Sequence, residues 1–99
     1  MRVRFAPNAR AELTDILSMV RERSPTGARR ISAKVRGMRA TLAAYPNAGR
    51  QVDLAGVRVI VVRPFPYLLF YEVRDAEVVV VSIRHASRDP RTMPVGDEE

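Results

Sequence analysis

The chain reads as a single α+β domain of order β-α-α-β-β-β, a helical hairpin packed on a curved antiparallel sheet. Three observations lead there. Apolar residues recur at helical period from about residue 8 to residue 45, broken once at Ser24-Pro25. Beyond Gly49 the pattern changes to short apolar runs typical of strands. The segments between those runs are short and rich in turn residues, which favours antiparallel hairpins. With 99 residues, 46% apolar content and no cysteine, the chain can bury one core without disulfides. It is too short for a catalytic barrel or a two-domain cofactor enzyme.

Each element has its own signal. Val3-Arg4-Phe5 alternates with period two and stops at Ala6-Pro7-Asn8, a strand followed by a helix start. Ala9, Leu13, Ile16, Leu17 and Val20 then form one stripe, with Arg10, Glu12, Asp15 and Glu22 away from it, which predicts a first helix over residues 8–23. Ser24-Pro25 is a stop and a restart, because serine caps a helix and proline is tolerated in its first turn. In the second helix Ile31, Val35, Met38, Leu42 and Tyr45 make one apolar seam, while Arg29, Arg30, Lys34, Arg36 and Arg39 cover the remaining surface. Pro46-Asn47-Ala48-Gly49 ends it. Strands are then expected at Arg50 to Leu54, Val57 to Arg63, Tyr67 to Val73 and Glu77 to His85. The nearly continuous apolar runs at 57–62, 67–73 and 78–83 predict strands buried on both faces, one covered by helices and the other by a partner.

Composition narrows the function. The formal charge is +6. Residues 1–49 hold 10 basic and 3 acidic side chains, a balance of +7, and residues 50–99 hold 7 and 8, a balance of −1. Of the 17 basic residues only Lys34 is lysine. Arginine pairs with phosphate and carboxylate equally well, so the bias admits nucleic acid or an acidic protein; a GC-rich genome explains the arginine preference too. Apolar stretches such as Val59–Val62 and Val78–Val81 fall far short of the ~20 residues that cross a bilayer. No signal-peptide pattern opens the chain, and a cytoplasmic location is expected. No P-loop, dinucleotide fingerprint, zincin helix or nucleophile elbow is present. His85 is the only histidine and the acids are scattered, so no metal and no cofactor are expected.

The remaining chemistry gathers around Ile83-Arg84-His85-Ala86-Ser87-Arg88-Asp89-Pro90 at the end of the last strand, together with Arg63. Strict alternation puts Ser82 and Arg84 on one face of that strand and Val81, Ile83 and His85 on the other. Tyr67, Leu69 and Tyr71 share a face of the neighbouring strand, where the two phenols would line one groove. Metal-free RNA cleavage by 2′-hydroxyl attack needs a base, an acid and cationic stabilisation, roles open to His85, a tyrosine and the arginines. Each residue also has a plain structural role available. His85 can be a hydrogen-bonded scaffold residue, Arg88 with Asp89 a local ion pair, the tyrosines core-edge packing, and the helix-two arginines a solvated face.

The element order, the strand Pro66-Tyr67-Leu68-Leu69-Phe70-Tyr71-Glu72-Val73, the Val78 to Ile83 run and the Arg84-His85-Ala86-Ser87-Arg88-Asp89-Pro90 ending together resemble the RelE/ParE toxin superfamily of type II toxin–antitoxin modules, often called plasmid stabilisation proteins. The resemblance covers about residues 2–90. It implies one toxin domain over residues 1–90 and a cognate antitoxin whose C-terminal segment wraps the toxin; after Asp89-Pro90 no periodic pattern remains, and the composition of 91–99 predicts a flexible acidic tail. It implies two possible activities. RelE-like members cut mRNA in the ribosomal A site with arginines, lysines and usually a C-terminal tyrosine; ParE-like members lack that set and poison DNA gyrase. Here Lys34 is the only lysine and no aromatic residue follows Tyr71, so the resemblance favours a ParE-like gyrase inhibitor that is not an enzyme. The alternatives are a RelE-like ribosome-dependent endoribonuclease using Arg63, Arg84 and His85, and a decayed toxin that only binds its antitoxin. For contact with antitoxin or target the expected residues are Arg29, Arg30, Arg36, Tyr67, Tyr71 and Arg88.

Overall fold

The computed structural model describes residues 1–88, the side chain of Arg88 excepted. The expected tail and the Asp89-Pro90 part of the ending lie outside these described residues. The elements are β1 (Arg2–Phe5), α1 (Pro7–Arg23), α2 (Pro25–Ala44), β2 (Arg50–Gln51), β3 (Val57–Val61), β4 (Tyr67–Arg74), β5 (Glu77–His85) and a 3-10 turn at Ala86–Arg88. They form one five-stranded sheet in the order β1-β5-β4-β3-β2.

Ser24 does all the work of the helical hairpin's corner. Its N–H donates to Val20 O at 2.7 Å, ending α1, and its carbonyl accepts from the Ala28 N–H at 3.0 Å. Its hydroxyl accepts from the Gly27 N–H at 2.9 Å, capping α2. One residue thus satisfies groups at two helix ends, and with Pro25 at the first position of α2 the chain reverses with no loop.

Hairpin turns dictate antiparallel pairing for β2-β3, β3-β4 and β4-β5. β1 is the exception: it runs parallel to β5, Arg2 to Phe5 opposite Glu77 to Val80. No tight turn joins these two strands, so nothing local sets their direction. The sheet is therefore mixed, with β1 arriving by a crossover through the helices. β2 is shorter than expected because the chain turns at once, Val57 N–H donating to Leu54 O at 3.1 Å with Gly56 at φ +80°.

The core has two layers. Ile31, Val35, Met38 and Leu42 of α2 and Ile16 of α1 pack on Leu69, Tyr71, Val78, Val80 and Ile83. On the opposite face Val57, Val59, Leu68 and Phe70 cluster with Val52, Val61, Val81 and Ala86. Each of those four is at most 4% exposed, so the second apolar face is already buried within the chain and does not require the partner expected from the sequence. Burying a side chain of this size contributes about 1.5–3 kcal/mol.

The register shifts between Phe70 and Tyr71: Phe70 faces Ser82 while Tyr71 faces Val80, leaving Val81 as the extra residue of a bulge. This corrects the alternation. Val81 turns to the Phe70 face, whereas Ile83 stays in the helix-facing core and His85 meets Tyr67 of that same core.

Candidate functional site

β1 covers the edge of β5 only as far as Val80. Beyond it, the first turns of α1 take over. Ala6 N–H donates to Val80 O at 2.9 Å and Asn8 Nδ2 to Val81 O at 3.2 Å. Glu12 Oε1 then accepts the Ile83 N–H at 3.0 Å and the Ser82 hydroxyl at 2.9 Å. A carboxylate on a helix thus finishes a sheet edge that would otherwise offer its backbone to other strands.

Next to this edge lies a cleft of about 390 Å3 between α1 and the end of β5, lined by Ile16, Met19 and Ile83 and by Glu12, Asp15, Arg84, His85 and Ser87. Its charged groups are of both signs. Arg84 is tied away from His85: its Nε donates to the Ser82 hydroxyl at 3.3 Å, and its guanidinium stands 5.4 Å from the centre of the Phe70 ring on the face away from the helices. His85 goes the other way. Its ring meets Tyr67 edge-on, centroids 5.4 Å apart at 83°. Its Nδ1 accepts the Ser87 N–H at 3.1 Å and lies 2.8 Å from the Ser87 hydroxyl. An Nδ1 that accepts a backbone N–H carries no proton, which places the proton of the neutral ring on Nε2.

The two phenols do not line one groove. Tyr71 is fully buried; its hydroxyl donates to Pro46 O and accepts from the Gly49 N–H, both at 2.8 Å. Arg58, opposite Tyr71 in the register, donates to Gly49 O at 2.6 Å. Together they hold the α2–β2 loop against the sheet. Tyr67 is buried as well, beside His85. Arg63 is exposed in the β3–β4 turn, at the same end of the sheet as Arg84 and His85. The side chain of Arg88 lies outside the described residues.

Arg29, Arg30 and Arg36 are exposed on α2, as expected. Arg29 donates to the neutral Thr26 hydroxyl, at 3.2 Å. The two ion pairs among the described residues, Arg4–Glu77 and Arg74–Glu72, involve neither helix. Arg36 joins two arginines outside the set expected from the sequence. With Arg10 of α1 and Arg39 of α2 it rims a groove of about 310 Å3 whose floor is Phe5, Leu13 and Val35. The Arg39 guanidinium sits 5.2 Å over the Phe5 ring and donates to Val3 O at 3.2 Å. The i, i+3 spacing of Arg36 and Arg39 was a usable signal; the arrival of Arg10 from the other helix depends on how the hairpin packs.

Among the described residues no group of acids and histidine is placed to hold a metal ion, and no helix is long and apolar enough to cross a membrane.

This architecture and sequence have known counterparts. A solved structure described as the chromosomal ParDE TA system from P. aeruginosa superposes with a TM-score of 0.75 at 22% identity, covering 86% of this chain and 95% of that one. Toxin RelE2 of Caulobacter vibrioides is 40% identical over 80 residues, 81% of this chain and 89% of that protein. Putative toxin Y4kP of Sinorhizobium fredii is 29% identical over 85 residues, 85% and 88% of the two chains. The family described as the ParE toxin of the type II toxin–antitoxin system parDE matches residues 3–90. The chain therefore belongs to the ParE toxin family, and as a toxin of a type II system it has a cognate antitoxin as its partner.

Proposed function

We propose that this toxin is a ParE-like inhibitor of DNA gyrase that acts by binding rather than by catalysis. One observation carries the reading: the groups that a metal-free ribonuclease would need are occupied or kept apart. Tyr71 is buried and holds a loop. His85 Nδ1 accepts from the Ser87 backbone, and the Arg84 guanidinium is engaged by the Phe70 ring and the Ser82 hydroxyl, although both residues line the cleft. The cleft beside His85 sets Glu12 and Asp15 against Arg84, so it lacks the net positive charge that a phosphate backbone requires. The missing lysines and C-terminal aromatic residue point the same way.

The antitoxin in this reading is a partly disordered segment, acidic and apolar, that folds on binding. The groove between the helices fits that chemistry, with Phe5, Leu13 and Val35 for apolar side chains and Arg10, Arg36 and Arg39 for carboxylates.

A second reading is ribosome-dependent mRNA cleavage by Arg63, Arg84 and His85, which share one end of the sheet; one relative bears the name RelE2. Inducing the toxin in cells without antitoxin separates the two. Gyrase poisoning gives broken chromosomal DNA and intact transcripts. New codon-linked mRNA ends would replace the first reading by the second, and undisturbed growth would leave only antitoxin binding.

A further inference from the structure

We propose that the exposed crest of α2 binds the phosphate backbone of duplex DNA directly, independently of any protein target. Between Glu22 and Asp53 the chain has no acidic residue. At 100° per residue, Arg29 and Arg36 lie two turns apart on one flank of the crest, and Arg30 and Lys34 lie one turn apart on the other. Between them run Ala33, Gly37 and Ala40, all exposed, and a Cβ added at Gly37 would meet nothing within 4 Å. All four cations are exposed and none is in an ion pair among the described residues.

Two ligand classes suit such a surface, an acidic protein and a nucleic-acid backbone. Protein interfaces need large apolar or aromatic anchors at their centre. The crest has none. Among the described residues the exposed large hydrophobics are Met1, Met19, Tyr45, Leu54 and Val73, all outside α2. A phosphate backbone needs only cations in two rows with small residues between them, so that the helix can approach closely. The α1–α2 groove differs in having an apolar floor, and only Arg36 belongs to both surfaces.

The inference deepens the gyrase reading, since gyrase works on DNA, and it can fail separately from it. The test is fluorescence anisotropy of a labelled random-sequence duplex titrated with the purified full chain. Four phosphate contacts predict a fall in affinity of about 100-fold between about 50 and 200 mM salt. Replacing Arg29, Arg30, Lys34 and Arg36 together by Gln should abolish most of the binding and flatten the salt dependence. Removing equal charge elsewhere, by Arg2→Gln, Arg21→Gln, Arg50→Gln and Arg74→Gln, should leave a slope close to that of the wild type. All eight side chains are exposed, and circular dichroism checks that both variants fold; Arg30→Lys, which keeps the charge, should retain binding. Equal losses in the two variants would overturn the proposal. So would an absence of duplex binding by a chain that captures poly-glutamate through the same four residues. Gyrase inhibition that survives without DNA binding refutes the inference alone; DNA binding with unaffected gyrase refutes the gyrase reading alone.

Discussion

The hydroxyl of Tyr71 accepts the backbone N–H of Gly49 at 2.8 Å. The two residues are also in tight contact: a Cβ on Gly49 would stand 2.9 Å from the Tyr71 ring and 2.7 Å from Val59 O. A phenol that looked available for binding is thus the peg on which the α2–β2 loop hangs, and Gly49 is glycine because the peg leaves no room.

Tyr71→Phe should therefore cost stability while leaving the fold intact. It strands the Gly49 N–H and Pro46 carbonyl, at about 1–3 kcal/mol. In a domain of this size each kcal/mol lowers Tm by about 4–8 °C. Gly49→Ala should cost at least as much through overpacking. A thermal melt of either variant that matches the wild type would show that the loop is held by something else.

Glu12 is expected to matter for the sheet edge. Glu12→Ala removes the acceptor for Ser82 and Ile83 and should destabilise by about 1–3 kcal/mol. Glu12→Gln keeps an oxygen acceptor and should recover most of that loss. Amide exchange at Ile83 measures it: faster in the alanine variant, near wild type in the glutamine variant.

Toxicity should not depend on His85 or Arg84. Both His85→Ala and Arg84→Ala should still arrest growth when expressed without antitoxin, if their soluble levels match the wild type. Loss of arrest in either at matched levels would favour the nuclease reading.

Antitoxin binding should lean on the α1–α2 groove. Arg10→Ala combined with Arg39→Ala should slow association and reduce its salt dependence, as expected for rim charges that steer encounter. Their loss should change dissociation little, because the apolar floor of Phe5, Leu13 and Val35 remains. Isothermal titration and stopped-flow mixing at two salt concentrations would detect it; unchanged association rates would place the antitoxin elsewhere.

The helical hairpin and the long strands were legible because their signals are local. Ser24 announces both a helix end and a helix start, and the stripe from Ile31 to Leu42 needs no partner to be read. What escaped depends on distant contacts. The parallel seating of β1 follows from how the helices pack, not from any turn. The bulge at Val81 is invisible in a run of four valines, so alternation misplaces Val81, although it pairs Ile83 with His85 and Ser82 with Arg84 correctly. Tyr67 and Tyr71 look alike in sequence, yet the loop at Gly49 reaches only Tyr71. The arginine rim escaped in part because it is drawn from both helices.

The most direct test of the central claim is gyrase-catalysed supercoiling of relaxed plasmid DNA with purified toxin, with and without its antitoxin. Blocked supercoiling or trapped cleaved DNA is the expected result, reversed when the antitoxin is added. Full supercoiling at saturating toxin would contradict that claim.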